Sequence, residues 1–145
     1  MRDGTEGSNG NQRMSAAPEP IIVPGAGQRG EDRRPLAASG QSFAVYEWRG
    51  SGPAYLHVHH ADDEAWHVLE GTLRFRFADR QVDATAGTTV FVPAGVPHSY
   101  EAVGTARYLI VLTPRLRDLI TELHGAPDAQ QHQAIMRRYQ SEVLE

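Results

Sequence analysis

The chain has no cysteine and no lysine. The first absence excludes disulfides and thiolate metal sites, so any metal must be held by nitrogen and oxygen donors. The second excludes Schiff-base chemistry and a lysine general base, since all fourteen basic residues are arginine. Those arginines form no run, and the net charge is −4, so the electrostatic footprint of a nucleic-acid binder is missing. No apolar stretch approaches the roughly 20 residues that cross a membrane as a helix, and the polar N-terminus does not read as a signal peptide. The expectation is a cytoplasmic protein with neither nucleic acid nor membrane as partner.

What is present fits one domain of 145 residues with a real core. Residues 1–20 are rich in Gly, Ser, Asn and Pro without periodicity and read as a disordered tail. Residues 21–41 read as a short strand and linker. "IIV" at 21–23 is a β-branched run able to add to the edge of a second subunit, which makes a homodimer the expected assembly. Over 42–113 short β-branched and aromatic segments such as "SFAVYEWR", "EAWHVLEG", "TLRFRFAD", "VPHSYEAV" and "ARYLIVLT" recur about every ten residues, the pattern of an all-β sandwich or barrel. In "TLRFRF" the residues Leu73, Phe75 and Phe77 share one face, and Arg74 and Arg76 the other. After Pro114 the period turns helical. Leu116, Leu119, Ile120 and Leu123 form one stripe before a break at 125–127, and a second helix starts from Asp128 with Ile135 and Met136 as its packing side.

The stretch "HVHHADDEAWHVLEG" at 57–71 holds four of the seven histidines and four carboxylates. His57 and His59 lie two apart in a strand and project from one face. A hairpin of this length can set Glu64 opposite them. Far along the chain, "GTTVFVPAGVPHSY" at 87–100 has a turn at Pro93 and Gly95 and a histidine, His98, that opens the returning strand. Neutral imidazoles with one carboxylate suit a divalent transition metal such as Fe, Mn, Ni, Co, Cu or Zn. The alternative is a set of satisfied polar groups, but burying three imidazoles and a carboxylate without a partner costs several kcal/mol.

Here the chain resembles the cupin superfamily. Gly52, His57-x-His59, four residues, Glu64, six residues and Gly71 are similar to the first cupin motif. Gly87, five residues, Pro93-x-Gly95, two residues and His98 are similar to the second, and fifteen residues separate the two. Two positions depart from the pattern: the leading glycine is one residue closer to the first histidine, and Ala102 stands where asparagine often does. The resemblance implies a double-stranded β-helix of the jelly-roll type over 42–113, with two short helices in a C-terminal extension, 114–145. It implies one metal ion inside the barrel, held by His57, His59, Glu64 and His98 with positions left open for catalysis. The tail from Leu116 onward is similar to that of bacterial quercetinase-like single cupins, and related small cupins in antibiotic biosynthesis include aromatic polyketide cyclases.

The function implied is therefore that of a metal-dependent enzyme on an aromatic or polyketide-type hydrophobic small molecule, a dioxygenase first. A zinc-dependent cyclase closing rings by aldol chemistry is the alternative, and a non-catalytic ligand-binding cupin the third. Glu64 is the candidate catalytic base, a desolvated carboxylate being expected to have a raised pKa. Tyr55, Trp66, Phe75, Phe91 and Tyr100 are the candidate substrate-pocket residues. Trp66 shares strand parity with Glu64, and Tyr100 with His98. Asp62, Asp63 and Glu70 read as turn and surface carboxylates, His60 and His67 as structural or surface residues, and His124 and His132 as solvated residues near helix ends.

Overall fold

The computed structural model describes residues 19–24 and 35–145, and the chain separates into two compact units, Met1–Arg33 and Arg34–Glu145. The expected tail, apart from Glu19 and Pro20, and the loop over 25–34 lie outside the described residues. In the first unit Ile21–Val23 pair with no strand of this chain among the described residues, and Ile22 is 82% exposed. Pro20 and Pro24 flank the run, and neither can donate to a ladder or continue one.

The second unit contains eight strands and two helices: β1 Ala37–Ser39, β2 Ala44–Arg49, β3 His57–His59, β4 Glu64–Phe77, β5 Gln81–Thr85, β6 Thr89–Val92, β7 His98–Leu112, α1 Pro114–His124, α2 Ala129–Arg138 and β8 Ser141–Val143. Two long strands organise everything else. "EAWHVLEG" and "TLRFRFAD" are one strand, β4, and "VPHSYEAV" and "ARYLIVLT" are one strand, β7. The glycines between them bend the chain instead of reversing it. Gly71 has φ +77°, and a side chain there would meet the Thr105 carbonyl at 2.1 Å. The pairing slips beside it, between Val68 and Glu70 and between Gly71 and Thr72.

This bend makes two layers from one continuous ladder. Residues 65–68 of β4 pair with 108–111 of β7, flanked by β6 on one side and by β2 and β1 on the other. Residues 72–77 pair with 98–103, flanked by β5 on one side and by β3 and β8 on the other. The inner faces meet through aromatic rings, with Trp66 on Phe75 at 5.0 Å and on Tyr100 at 5.3 Å between centroids. Leu73, Phe75, Tyr108, Ile110 and Leu112 are fully buried between the layers, each contributing roughly 1.5–3 kcal/mol by burial. The fold is all-β with two short helices, as expected, but the ladder is not closed: β1, β5, β6 and β8 each have one hydrogen-bonded neighbour.

Both helices form where the apolar period placed them. The Thr113 hydroxyl caps α1 by accepting from the Leu116 N–H, Pro114 occupies the first turn, and Leu116 and Leu119 are buried. The Asp128 carboxylate caps α2, which buries Ile135 and Met136. Among the described residues no helix is long and apolar enough to cross a membrane.

Candidate metal centre

The histidines meet because β3 lies against the start of β7, with His57 directly opposite His98. His59 follows on the same face as His57. Ring centroids are 4.4 Å apart for His57 and His98, 4.9 Å for His57 and His59, and 5.3 Å for His59 and His98. One ligand nitrogen from each lies within 4.8 Å of the others, and all three residues are buried. Glu64 reaches them from the facing layer, where it opens β4 opposite Val92. The expected hairpin between the His pair and Glu64 does not exist, because β3 pairs with β7 and β8 instead. Tertiary packing brings the groups together all the same: Glu64 Oε2 is 3.1 Å from His98 Nε2 and 3.4 Å from His59 Nε2.

The outer nitrogen of every ring is already committed. His57 Nδ1 lies 3.2 Å from the Tyr55 carbonyl, and His98 Nδ1 lies 2.9 Å from the Val96 carbonyl. Carbonyl oxygens only accept, so both Nδ1 atoms carry the proton. His59 Nδ1 lies 2.8 Å from Ser141 Oγ, whose own proton goes to the Tyr139 carbonyl. It too must donate. Each ring therefore turns its Nε2 inward, and at His98 that nitrogen faces a carboxylate oxygen at 3.1 Å. A proton or a metal cation must lie between two atoms so placed.

Electrostatics agree. Burial holds His57 down at about 3, reinforced by its two imidazole neighbours, so the ring is neutral at physiological pH. For Glu64 burial acts upward, but hydrogen bonds from His59 and His98 outweigh it and leave the carboxyl at about 2. The expected raised pKa is thereby corrected: desolvation alone is the wrong measure when two imidazoles touch the group. Three imidazoles and a carboxylate fit a divalent transition metal.

The family model for the cupin domain matches residues 44–112, which include all four of these groups. Residues 44–112 form a cupin domain. Among solved structures, this cupin is similar to a cupin-2 domain-containing protein of Shewanella frigidimarina, with 23% identity over 73% of this chain and 93% of the other and a TM-score of 0.50. It is similar to a cupin protein of Bacteroides fragilis at 12% identity, over 66% and 82% of the two chains, with a TM-score of 0.51. These likenesses show the fold. The polyketide cyclase RemF of Streptomyces resistomycificus is similar at 26% identity over 51% of this chain and 56% of its own, with a TM-score of 0.45, an overlap too partial to carry an argument about activity. No curated protein matches the sequence.

The cupin's motif glycines and acids have local duties. A side chain at Gly52 would stand 2.3 Å from the Tyr100 ring. Gly95, at φ +91°, donates its N–H to the His59 carbonyl at 2.8 Å, and the Asp63 carboxylate accepts from the Ala94 N–H at 2.8 Å. The turn before His98 is thus tied to the corner after His59. Asp62 is no surface group, contrary to the expectation. It is buried, 3.6 Å from the Arg115 guanidinium, because α1 covers that corner.

Of the expected pocket residues, Trp66, Phe75 and Tyr100 stand together beside His98, with Trp66 5.7 Å from its ring. The Trp66 indole N–H is buried without a hydrogen-bond partner. Tyr100 donates to the Tyr108 hydroxyl, which donates to the Gly50 carbonyl, and burial raises its pKa well above the usual value. Tyr55 lies 5.8 Å from His57, and its hydroxyl donates to His132 Nδ1 at 2.9 Å. His132 is thus engaged, not solvated, since its Nε2 donates to the Ala126 carbonyl at 2.7 Å. β6 turns Val90 and Val92 inward, so Phe91 is 60% exposed and lines an outer cleft instead of the space beside Trp66. That cleft, about 300 Å³, is also lined by Phe77, Arg80, Val92, Pro93 and Pro97. Phe77 pairs with His98 and Val92 with Glu64, so its walls adjoin the centre. Sequence reasoning missed Ser141, for which no local signal exists.

Proposed function

We propose that this cupin is a metal-dependent enzyme acting on a hydrophobic, oxygen-bearing small molecule of aromatic or polyketide type, as a dioxygenase. One observation carries the reading: three inward Nε2 atoms and a buried carboxylate converge beside Trp66, Phe75 and Tyr100. A redox-active divalent ion held by His57, His59 and His98, with Glu64 as fourth donor, would supply Lewis acidity toward an enolate or phenolate oxygen and electron exchange with O₂. The protein's own groups do the remainder. The aromatic faces exclude water and suit a flat ring. Glu64 acts as a ligand in this reading, because its Oε2 lies 3.1 Å from His98 Nε2 and 3.4 Å from His59 Nε2. The cleft beside His98 and Glu64, walled by Phe77, Phe91, Pro93 and Pro97, is the route of approach.

The test is metal analysis of the purified protein followed by O₂ uptake with a flavonol. Metal-dependent O₂ consumption, lost in His98→Ala, is expected. Bound zinc without O₂ uptake removes the dioxygenase and leaves ring closure of a poly-ketone, assayed directly, as the activity. Tight flavonol binding with no turnover leaves a ligand-binding cupin. The homodimer is also proposed, through the outer apolar row in which Phe91, Ala65, Val111 and Val45 lie side by side across four strands. Equilibrium sedimentation at 16.0 kDa and micromolar concentration would refute it.

A further inference from the structure

β3 has only three residues, and one of its edges meets β7 at a single position, His57 opposite His98. β8 covers the other edge along its full length, pairing His57 with Val143, Val58 with Glu142 and His59 with Ser141. The last segment of the chain therefore completes the wall that carries two of the three imidazoles. Its neighbours reinforce the seam. The Leu144 N–H donates to the Leu56 carbonyl at 2.8 Å, and the Glu145 carboxylate accepts from the Leu56 N–H at 2.8 Å while pairing with Arg76.

Ser141 is the member of this strand that touches the centre. Its side chain is buried, and its oxygen, having given its proton to the Tyr139 carbonyl, can only accept from His59 Nδ1. That single bond sets the tautomer of His59 and aims its Nε2 at Glu64. The preceding residue, Gln140, is held at φ +56°, a left-handed conformation that side chains other than glycine seldom adopt, and its carbonyl is pinned by the His60 N–H at 2.9 Å. This strained turn is what swings Ser141 toward the histidine as the chain leaves α2.

We propose that Ser141 is a positioning residue of the metal centre, locking the ring and tautomer of His59 from the C-terminal strand, so that β8 is part of the site. The inference rests on the metal-binding reading above. Its test uses full-length protein with zinc affinity read by chelator competition, the visible spectrum of the cobalt-loaded form, and melting of the metal-free form. Ser141→Ala is expected to weaken zinc binding about 10- to 100-fold and to alter the cobalt spectrum, with metal-free melting nearly unchanged. Glu142→Ala, whose side chain pairs with His60 on the exposed side, keeps wild-type affinity and spectrum. Should Ser141→Ala fail to fold, Ser141→Cys, close in volume and a weak acceptor, carries the same comparison. Wild-type affinity and spectrum in the Ser141 variant overturn the inference, and so does an equal loss in Glu142→Ala, which would mean general strand support. A wild-type protein that retains no metal overturns the metal reading itself, a separate result.

Discussion

The aromatic core and the histidine cluster occupy the same space between the layers, yet they are held by opposite means. Trp66, Phe75, Tyr100 and Tyr108 are fixed by buried area and ring packing, which is non-directional and tolerates change of similar volume. His57, His59, His98 and Glu64 are fixed by directional bonds to Tyr55, Ser141, Val96 and one another, with their Nε2 atoms turned toward a carboxylate. A core of the first kind stabilises by itself. A cluster of the second kind is stable in full only when a cation joins it.

The largest effects should separate the two regions cleanly. His98→Ala is expected to abolish zinc binding in a chelator-competition assay, since it removes one of three imidazoles and a contact of Glu64. Phe75→Ala is expected to do the reverse, lowering stability by about 3–5 kcal/mol in urea melts while folded protein keeps zinc affinity within a few-fold. If Phe75→Ala loses metal as completely as His98→Ala, the two regions are one unit.

Acid should act on the second region. Folded His57 stays neutral down to about 3, whereas an unfolded histidine takes up a proton near 6.5, so the unfolded chain binds more protons throughout that window. Stability of the metal-free protein therefore falls as pH drops below about 6.5. Glu64 adds a loss of the same sign as pH falls from about 4.5 toward 2. Melting temperatures measured between pH 7 and pH 4 check this. His57→Gln should flatten the curve, and Phe75→Ala should shift it without changing its slope. The smallest effect is at Gln140, where glycine relieves the left-handed strain. Gln140→Gly should change stability by about 1 kcal/mol or less in thermal melts, and zinc affinity should follow only as far as Ser141 loosens.

Much of this was legible along the chain. The strand segments, both helices, the Asp128 cap and the four converging groups follow from periodicity, turn residues and two spaced motifs. What was not legible is pairing at a distance. Nothing in "SEV" marks it as the partner of β3, since a three-residue strand has no period and its register is set by bonds to residues about eighty positions earlier. Segments that looked like four strands are two, because a glycine between apolar runs reads alike whether the chain reverses or merely bends. Strand parity likewise told which side chains share a face but not which face is inside, hence the exposed Phe91, and nothing local told that α1 would cover Asp62.

By itself the sequence determined the donor chemistry: without cysteine or lysine, only imidazole and carboxylate were available, and their spacing marked them out. The tertiary structure alone decided the protonation pattern of those donors. A tautomer or a pKa is fixed by what lies within hydrogen-bond reach, and the atoms in reach of His59 and Glu64 come from opposite layers and from the far end of the chain.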